Sequence, residues 1–159
     1  MKAVLETPRL ILRSFTLDDV DAMYQLMTVP DVIRYVGNKP AQSKQDVLDY
    51  LQQHPLRDYQ VYGYGRFACV WKETGQVIGF SGIKFLEEIK ETELGYRFLP
   101  EFWRKGLATE AGQAVIQFAQ GLGLKRLVAV IHPQNEGSKL VATKLGFGLE
   151  GKTELSLLE

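Results

Sequence analysis

This sequence has only one cysteine. It has no excess of basic or of acidic residues, and it contains no long apolar run. The single cysteine, Cys69, excludes an intrachain disulfide and a cysteine-based zinc site, which fits a reducing compartment. The 19 basic and 19 acidic residues cancel, so the charge balance does not indicate nucleic-acid binding. The N-terminus lacks the apolar core of a signal peptide, and no run approaches the ~18 apolar residues of a membrane span. We therefore expect a cytoplasmic protein that binds no DNA, no membrane and no metal.

The remaining composition is that of one globular domain. The 159 residues are 45% hydrophobic and 24% charged, which suits one substantial core. Repeats, low-complexity tracts and linker-like shifts of composition are missing as well. We expect a single domain over residues 1–159, and the sequence leaves open whether it is a monomer or a homodimer.

Hydrophobic periodicity predicts alternating strands and helices. We expect strands at 9–15, 66–71, 76–86, 92–99 and 126–131, one or two short strands within 147–157, and helices capped by Thr16 or Asp18, by Ser43 and by Asn135. The helix begun at Ser43 is expected to end before Pro55, and a helix from Leu107 is expected to end at Gly123. This order of elements predicts an α/β fold in which helices cover both faces of a mixed sheet.

Two cations precede the helix that begins at Leu107, in the segment FWRKGLATEA. A helix N-terminus carries a partial positive charge, so Arg104 and Lys105 are costly there unless an anion lies nearby. Gly106 permits a close backbone approach and Ala108 keeps the wall small, as a phosphate site requires. A solvated basic loop is the alternative, and these residues alone do not decide between the two.

Four segments together resemble one enzyme family. They are TPRLILR (7–13), IGFSGI (78–83), ELGYRFLPEFWRKGLATEA (93–111) and HPQNEGSKLVATKLGF (132–147). In order and spacing they resemble the GNAT acyl-CoA-dependent N-acetyltransferases, and locally the Rim-type branch that modifies ribosomal-protein N-termini. The resemblance implies a GNAT fold with a mixed sheet of six or seven strands. It also implies direct acetyl transfer from acetyl-CoA to a primary amine, either a protein N-terminus or a small molecule. A non-catalytic acyl-CoA-binding sensor with the same fold is the alternative.

The resemblance also assigns cofactor-binding residues. The backbone amides of Arg104, Lys105, Gly106, Leu107, Ala108 and Thr109 would bind the pyrophosphate, and Phe98 and Leu99 would offer backbone groups to the pantetheine arm and the acetyl carbonyl. Asn135 would lie near the pantetheine, and Ser138 matches a position that protonates the leaving thiolate. Trp103 departs from the family motif, which has Gln or Arg at that position.

Glu93 is the candidate general base, because strand alternation places it beside Gly95, whose missing side chain would leave room for an acceptor. The alternative is a solvated glutamate paired with Arg97. Glu110 is expected to complement the helix dipole. No tyrosine follows Tyr96 to serve as the usual family acid, which leaves Ser138 or solvent.

The acceptor side is less determined. By analogy Arg34, Tyr35 and Tyr64 are candidate substrate contacts. His132 is expected to mark a turn, and Cys69 to be a small buried residue of the core.

Overall fold

A computed structural model of the chain describes residues 4–35 and 39–151. The strands are β1 (Val4–Glu6), β2 (Leu10–Ser14), β3 (Arg66–Trp71), β4 (Val77–Leu86) and β5 (Glu91–Phe98). The helices are α1 (Val20–Leu26), α2 (Pro30–Ile33), α3 (Lys44–Leu51), α4 (Arg57–Tyr62), α5 (Leu107–Gly121) and α6 (Glu136–Leu145). None of these helices is long and apolar enough to cross a membrane, within the residues described.

The described strands form one antiparallel sheet in the order β1-β2-β3-β4-β5. The described residues therefore contain five strands, where the family resemblance implied six or seven. The predicted strand 126–131 contributes only one parallel bridge, between Val128 and Glu93. There the Leu94 N–H donates to the Val128 carbonyl at 2.8 Å, and the Val128 N–H donates to the Thr92 carbonyl at 3.0 Å. Of the short strands predicted within 147–157, residues 147–151 form none, and the rest lies outside the described residues.

Strand alternation divides the core between the two faces of the sheet. Phe67 and Cys69 of β3 point into the cluster that packs against α5, whereas Ala68 between them points into the cluster beneath α1 and α3. Phe98, the last residue of β5, faces α5, and Leu99, which follows it, faces the opposite layer. The side chains of these two adjacent residues therefore lie on opposite faces of the sheet. A site on one face can be contacted by only one of the two side chains.

Side-chain caps begin the helices where the sequence predicted them. Thr16 forms a capping box with Asp19, in which the Thr16 N–H donates to Asp19 Oδ2 at 2.9 Å. Ser43 Oγ accepts from the Asp46 N–H at 3.2 Å, and Asn135 Oδ1 accepts from the Ser138 N–H at 3.1 Å.

The helix that begins at Ser43 does not end before Pro55. It continues through a wider π-helical turn at Gln52–Leu56, which contains buried Pro55, and resumes as α4. A proline has no N–H for the normal helical bond and its ring displaces the preceding turn, so a locally wider turn accommodates it. The actual end is Gly63, which has φ 78°.

Candidate active site

A cleft opens where β5 and the chain after Val128 part. Its walls come from α2, β5, the loop before α5, the first turn of α5, residues 129–132 and α6. The Leu99 N–H donates to the Ile78 carbonyl of β4 at 2.9 Å. Because antiparallel pairing alternates, the backbone groups of Tyr96 and Phe98 point to the other edge of β5, into the cleft. The parting of the two segments therefore leaves strand backbone facing a groove.

Phe98 and Leu99, whose backbone groups were predicted to meet the pantetheine arm and the acetyl carbonyl, behave differently. The Leu99 N–H is held by Ile78, its carbonyl accepts from the Phe102 N–H at 2.9 Å, and its side chain is buried in the opposite layer. Leu99 is not among the cleft residues, so its predicted role does not fit. Phe98 lines the cleft, and its carbonyl accepts from Trp103 Nε1 at 2.6 Å. Trp103 thus ties the loop before α5 to the end of β5, a contact that its departure from the family motif did not predict.

The loop before α5 presents unbonded amides to the cleft. Arg104 and Gly106 both adopt positive φ, at 61° and 79°. The first intrahelical bond runs from the Glu110 N–H to the Gly106 carbonyl at 3.0 Å, so the amides of Leu107–Thr109 have no acceptor within the helix. Arg104, Gly106 and Leu107–Thr109 line the cleft, as predicted for a phosphate site, whereas Lys105 is exposed and lies outside the lining.

Glu110 fixes the start of α5 to the turn between β1 and β2. Its carboxylate accepts from Thr7 Oγ1 at 2.6 Å, from the Arg9 N–H at 2.9 Å and from Arg9 Nε at 2.8 Å. Burial raises the pKa of Glu110, but the bonds from Thr7 and Arg9 outweigh it, and the net pKa is lowered. Glu110 therefore does more than complement the helix dipole, because it links the segment 7–13 to the first turn of α5, which lines the cleft.

Glu93 lines the cleft but is held in a buried ion pair. Glu93 Oε1 lies 2.8 Å from Arg66 Nη2, and the two side chains are only 3% and 6% exposed. A Cβ on Gly95 would stand 2.8 Å from Arg66 Nη2, so the guanidinium fills the space that we expected for an acceptor. The alternative, a solvated glutamate paired with Arg97, is wrong about solvation, because Glu93 is buried and pairs with Arg66.

Ser138 meets a tyrosine across the cleft. Its hydroxyl lies 3.0 Å from the hydroxyl of Tyr96, and both residues line the cleft. Burial raises the pKa of Tyr96, while the hydrogen bond with Ser138 acts in the opposite direction. Sequence reasoning did not select Tyr96. Strand alternation placed it on the face of Phe98, but only the tertiary fold brings α6 over that face.

The acceptor candidates separate into two groups. Arg34 and Tyr35 line the cleft, and the Tyr35 ring lies 5.1 Å from the ring of His132 between centroids. Tyr64 lies outside the cleft, where its hydroxyl forms a 2.8 Å hydrogen bond with Thr92 Oγ1 and its ring packs on the core. The predicted contact of Tyr64 with the substrate therefore does not fit. His132 marks the expected turn, since its carbonyl accepts from the Asn135 N–H, and it also lines the cleft.

Cys69 is fully buried in β3, and burial raises the pKa of its thiol. This confirms Cys69 as a residue of the core, without a thiolate to act as a nucleophile. Across residues 4–35 and 39–151, no three His, Cys, Asp or Glu side chains group as a metal ion would need.

Known proteins share this architecture. The sequence of residues 9–148 matches the family described as the acetyltransferase (GNAT) domain. The uncharacterized N-acetyltransferase YoaA of Bacillus subtilis (strain 168) is 33% identical over 153 residues, covering 95% of this chain and 86% of YoaA. The spermidine N(1)-acetyltransferase of Escherichia coli (strain K12) is 24% identical, covering 89% of this chain and 74% of that enzyme.

Solved structures agree on the fold. An acetyltransferase from Agrobacterium tumefaciens str. C58 superposes with a TM-score of 0.83 at 29% identity, covering 99% of this chain and 92% of that one. RimL, a ribosomal L7/L12 alpha-N-protein acetyltransferase, in complex with coenzyme A gives 0.81 at 20% identity, covering 94% and 86%. The chain thus belongs to the GNAT family of acetyltransferases.

Proposed function

We propose that this chain transfers an acetyl group from acetyl-CoA directly to a primary amine. The observation that carries the proposal is the cleft between β5 and residues 129–132, which ends at the unbonded amides of Leu107–Thr109. The open strand edge would supply backbone hydrogen bonds to the amides of the pantetheine arm, and the helix N-terminus would supply N–H donors to the phosphates of coenzyme A.

The residues that would hold acetyl-CoA follow from the cleft lining. Arg104 and the amides of Gly106–Thr109 would bind the pyrophosphate, and the Phe98 N–H, on the open edge of β5, would bind the acetyl carbonyl. When bound, acetyl-CoA supplies the activated acetyl group. An N–H placed on that carbonyl stabilises the developing oxyanion, a contribution of about 3 kcal/mol when well aligned. Asn135 orders the first turn of α6 along the opposite wall.

Glu93 would act as the general base. A free α-amino group has a pKa of about 8 and a lysine of about 10.4, so the attacking amine has to lose a proton. Because the Arg66 guanidinium fills the space beside Gly95, the buried carboxylate would accept the proton from the amine through one water of the cleft.

The acceptor has two candidate classes. RimL is named for ribosomal L7/L12, and the relative from Escherichia coli for spermidine; a protein N-terminus and a polyamine are both primary amines. Arg34, Tyr35 and Asp31 lie on the rim where the acceptor would enter. Because Asp31 and Arg34 carry opposite charges, the rim does not favour a polycation, and we propose a peptide N-terminus of the Rim type as the first class to test.

A screen of acceptors tests this function. Thiol release from acetyl-CoA is measured with N-terminal peptides, polyamines and aminoglycosides, with an N-terminally blocked peptide as the matched control. We expect turnover with free N-termini and none with the blocked peptide. If coenzyme A binds tightly and no amine is acetylated, the acyl-CoA-binding sensor is the better account.

A further inference from the structure

Two hydroxyl groups join the walls of the cleft. The Tyr96 hydroxyl on β5 lies 3.0 Å from Ser138 Oγ in the first turn of α6. Asn135 Oδ1 holds the Ser138 N–H at 3.1 Å, so the backbone that carries this serine is fixed. Both side chains line the cleft and both are partly buried. A hydroxyl in this position can donate its own proton and accept another from its neighbour.

Acyl transfer from a thioester requires such a donor. When the carbon–sulfur bond breaks, the electron pair stays on sulfur, and the thiolate then takes a proton. A serine hydroxyl is a much weaker acid than a thiol, so Ser138 gives up a proton only if its oxygen is reprotonated at once. The second hydroxyl is what Ser138 needs for this role.

We propose that Tyr96 supplies the proton that Ser138 passes to the leaving sulfur. This inference rests on the proposed acetyl transfer and extends it. The Ser138 proton forms the new S–H bond, the Tyr96 proton moves to Ser138 Oγ, and water returns a proton to the Tyr96 oxygen. Ser138 touches the sulfur, and Tyr96 is a positioning residue that acts through it.

Other features of the chain agree with this relay. Burial raises the pKa of Tyr96, against the effect of its bond to Ser138, so the phenol stays protonated at neutral pH. No tyrosine occurs after residue 96, so β5 supplies the phenol nearest in sequence to Ser138.

A structural latch is the competing role for the same bond. No residue of α6 is fully buried, so a hydroxyl pair could simply hold this helix against β5. A latch supports every ligand that needs the closed cleft, whether or not the ligand carries sulfur. A proton relay, in contrast, changes only the protonation of the sulfur, so it should not change the affinity for a ligand that lacks sulfur.

The thiol of bound coenzyme A reports the difference without any turnover. Its pKa is read from the ultraviolet absorbance of the thiolate in the enzyme–CoA complex, for wild type, Tyr96→Phe and Ser138→Ala. Donated hydrogen bonds stabilise the thiolate, so we expect each variant to raise the thiol pKa by about one unit, which is about a tenfold lower thiolate fraction. Cys69 does not contribute absorbance, because it is fully buried and its thiol pKa is raised.

The neighbouring charged groups affect the thiol pKa equally in the wild type and in each variant, because none of them is changed. Besides Tyr96 itself, the charged and titratable groups that line the cleft are Arg104 before α5, His132 before α6, Lys144 on α6, Glu93 and Arg97 on β5, Asp31 on α2, and Arg34 and Tyr35 just after α2. Tyr64→Phe is the matched control, since it removes a phenol bonded to a hydroxyl at 2.8 Å outside the cleft. We expect it to leave the thiol pKa unchanged.

Binding of desulfo-CoA, which lacks the sulfur, separates the relay from the latch. We expect Tyr96→Phe and Ser138→Ala to bind it with wild-type affinity and to lower kcat by about 10- to 100-fold. The double variant should lose no more than Ser138→Ala, because the two groups act as one unit.

Three results would overturn the relay. An unchanged thiol pKa in an enzyme that still acetylates amines contradicts the relay alone. Equal loss of affinity for CoA and desulfo-CoA shows a latch. Failure of the wild type to bind CoA removes the proposed function, and the relay with it.

Discussion

Replacing Glu93 by glutamine should destabilise the fold far more than the same change at an exposed pair. Glu93 and Arg66 lie 2.8 Å apart with side chains 3% and 6% exposed. Removing one member leaves a buried charge without its counter-charge, which costs about 3–5 kcal/mol. Typical domains are stable by about 5–15 kcal/mol, so the variant should fold but with much of its stability lost.

Urea unfolding measures the effect. With a slope of about 2 kcal/mol per molar urea, the midpoint of Glu93→Gln should fall by about 2 M. Glu91→Gln is the matched control on the same strand: Glu91 pairs with Arg126 at 2.9 Å, but the side chains are 31% and 49% exposed. Exposed pairs contribute about 0–1 kcal/mol, so its midpoint should hardly move.

A double variant separates charge from shape. Arg66→Met with Glu93→Met removes both charges, and replacement of a buried pair by apolar groups is often neutral or stabilising. We expect its stability to return to within about 1 kcal/mol of wild type, while acetyl transfer stays lost because the base is missing. Equal urea midpoints for Glu93→Gln and Glu91→Gln would refute the reasoning.

Three smaller perturbations test other contacts. Glu110→Gln should cost about 1–2 kcal/mol at pH 7, because it weakens charge-assisted bonds from Thr7 and Arg9. The folded pKa of Glu110 is lowered, so this stabilisation is fully present above the ordinary carboxyl pKa of about 4.3 and is lost as pH falls through the folded value. Urea curves over a series of pH values should show the full difference between wild type and variant at pH 7 and a steadily smaller difference as the pH is lowered below the ordinary carboxyl pKa. Trp103→Phe removes the donor to the Phe98 carbonyl and should raise the KM for acetyl-CoA severalfold with less change in kcat, measured by steady-state kinetics. Cys69 should react with a thiol reagent only after denaturant is added, and fast labelling of the native protein would contradict its burial.

Features that depend on neighbours in sequence were predictable. Asn135 caps α6 through a bond to Ser138, three residues away, and Gly146 ends the same helix with φ 95°. The loop before α5 was also predictable in outline, since its cations and glycine point to an anion whatever the rest of the fold does.

Features that depend on distant residues were not predictable. Arg66 and Glu93 are 27 positions apart, and Tyr96 and Ser138 are 42 apart. Hydrophobic periodicity places each of these residues on a strand or a helix but does not identify its partner. Arg66 also reversed the meaning of Gly95, which makes room for a guanidinium instead of a ligand.

The predicted strand 126–131 shows the limit of a local pattern. Its apolar run suits a strand inside a sheet that is covered on both faces, but only Val128 pairs with β5 before the two segments part. The cleft exists because that pairing stops, and no property of the residues in 126–131 alone announces it.

Calorimetric titration with acetyl-CoA tests the central claim, that the loop before α5 and the open edge of β5 bind this cofactor. Gly106→Val and Gly75→Val are compared with wild type, because both glycines have φ 79° and the two substitutions carry similar backbone strain. A Cβ at Gly75 meets nothing within 4 Å, and Gly75 lies outside the cleft lining. We predict one site in wild type and Gly75→Val, and at least tenfold weaker binding in Gly106→Val. Equal affinity in all three proteins would contradict the account.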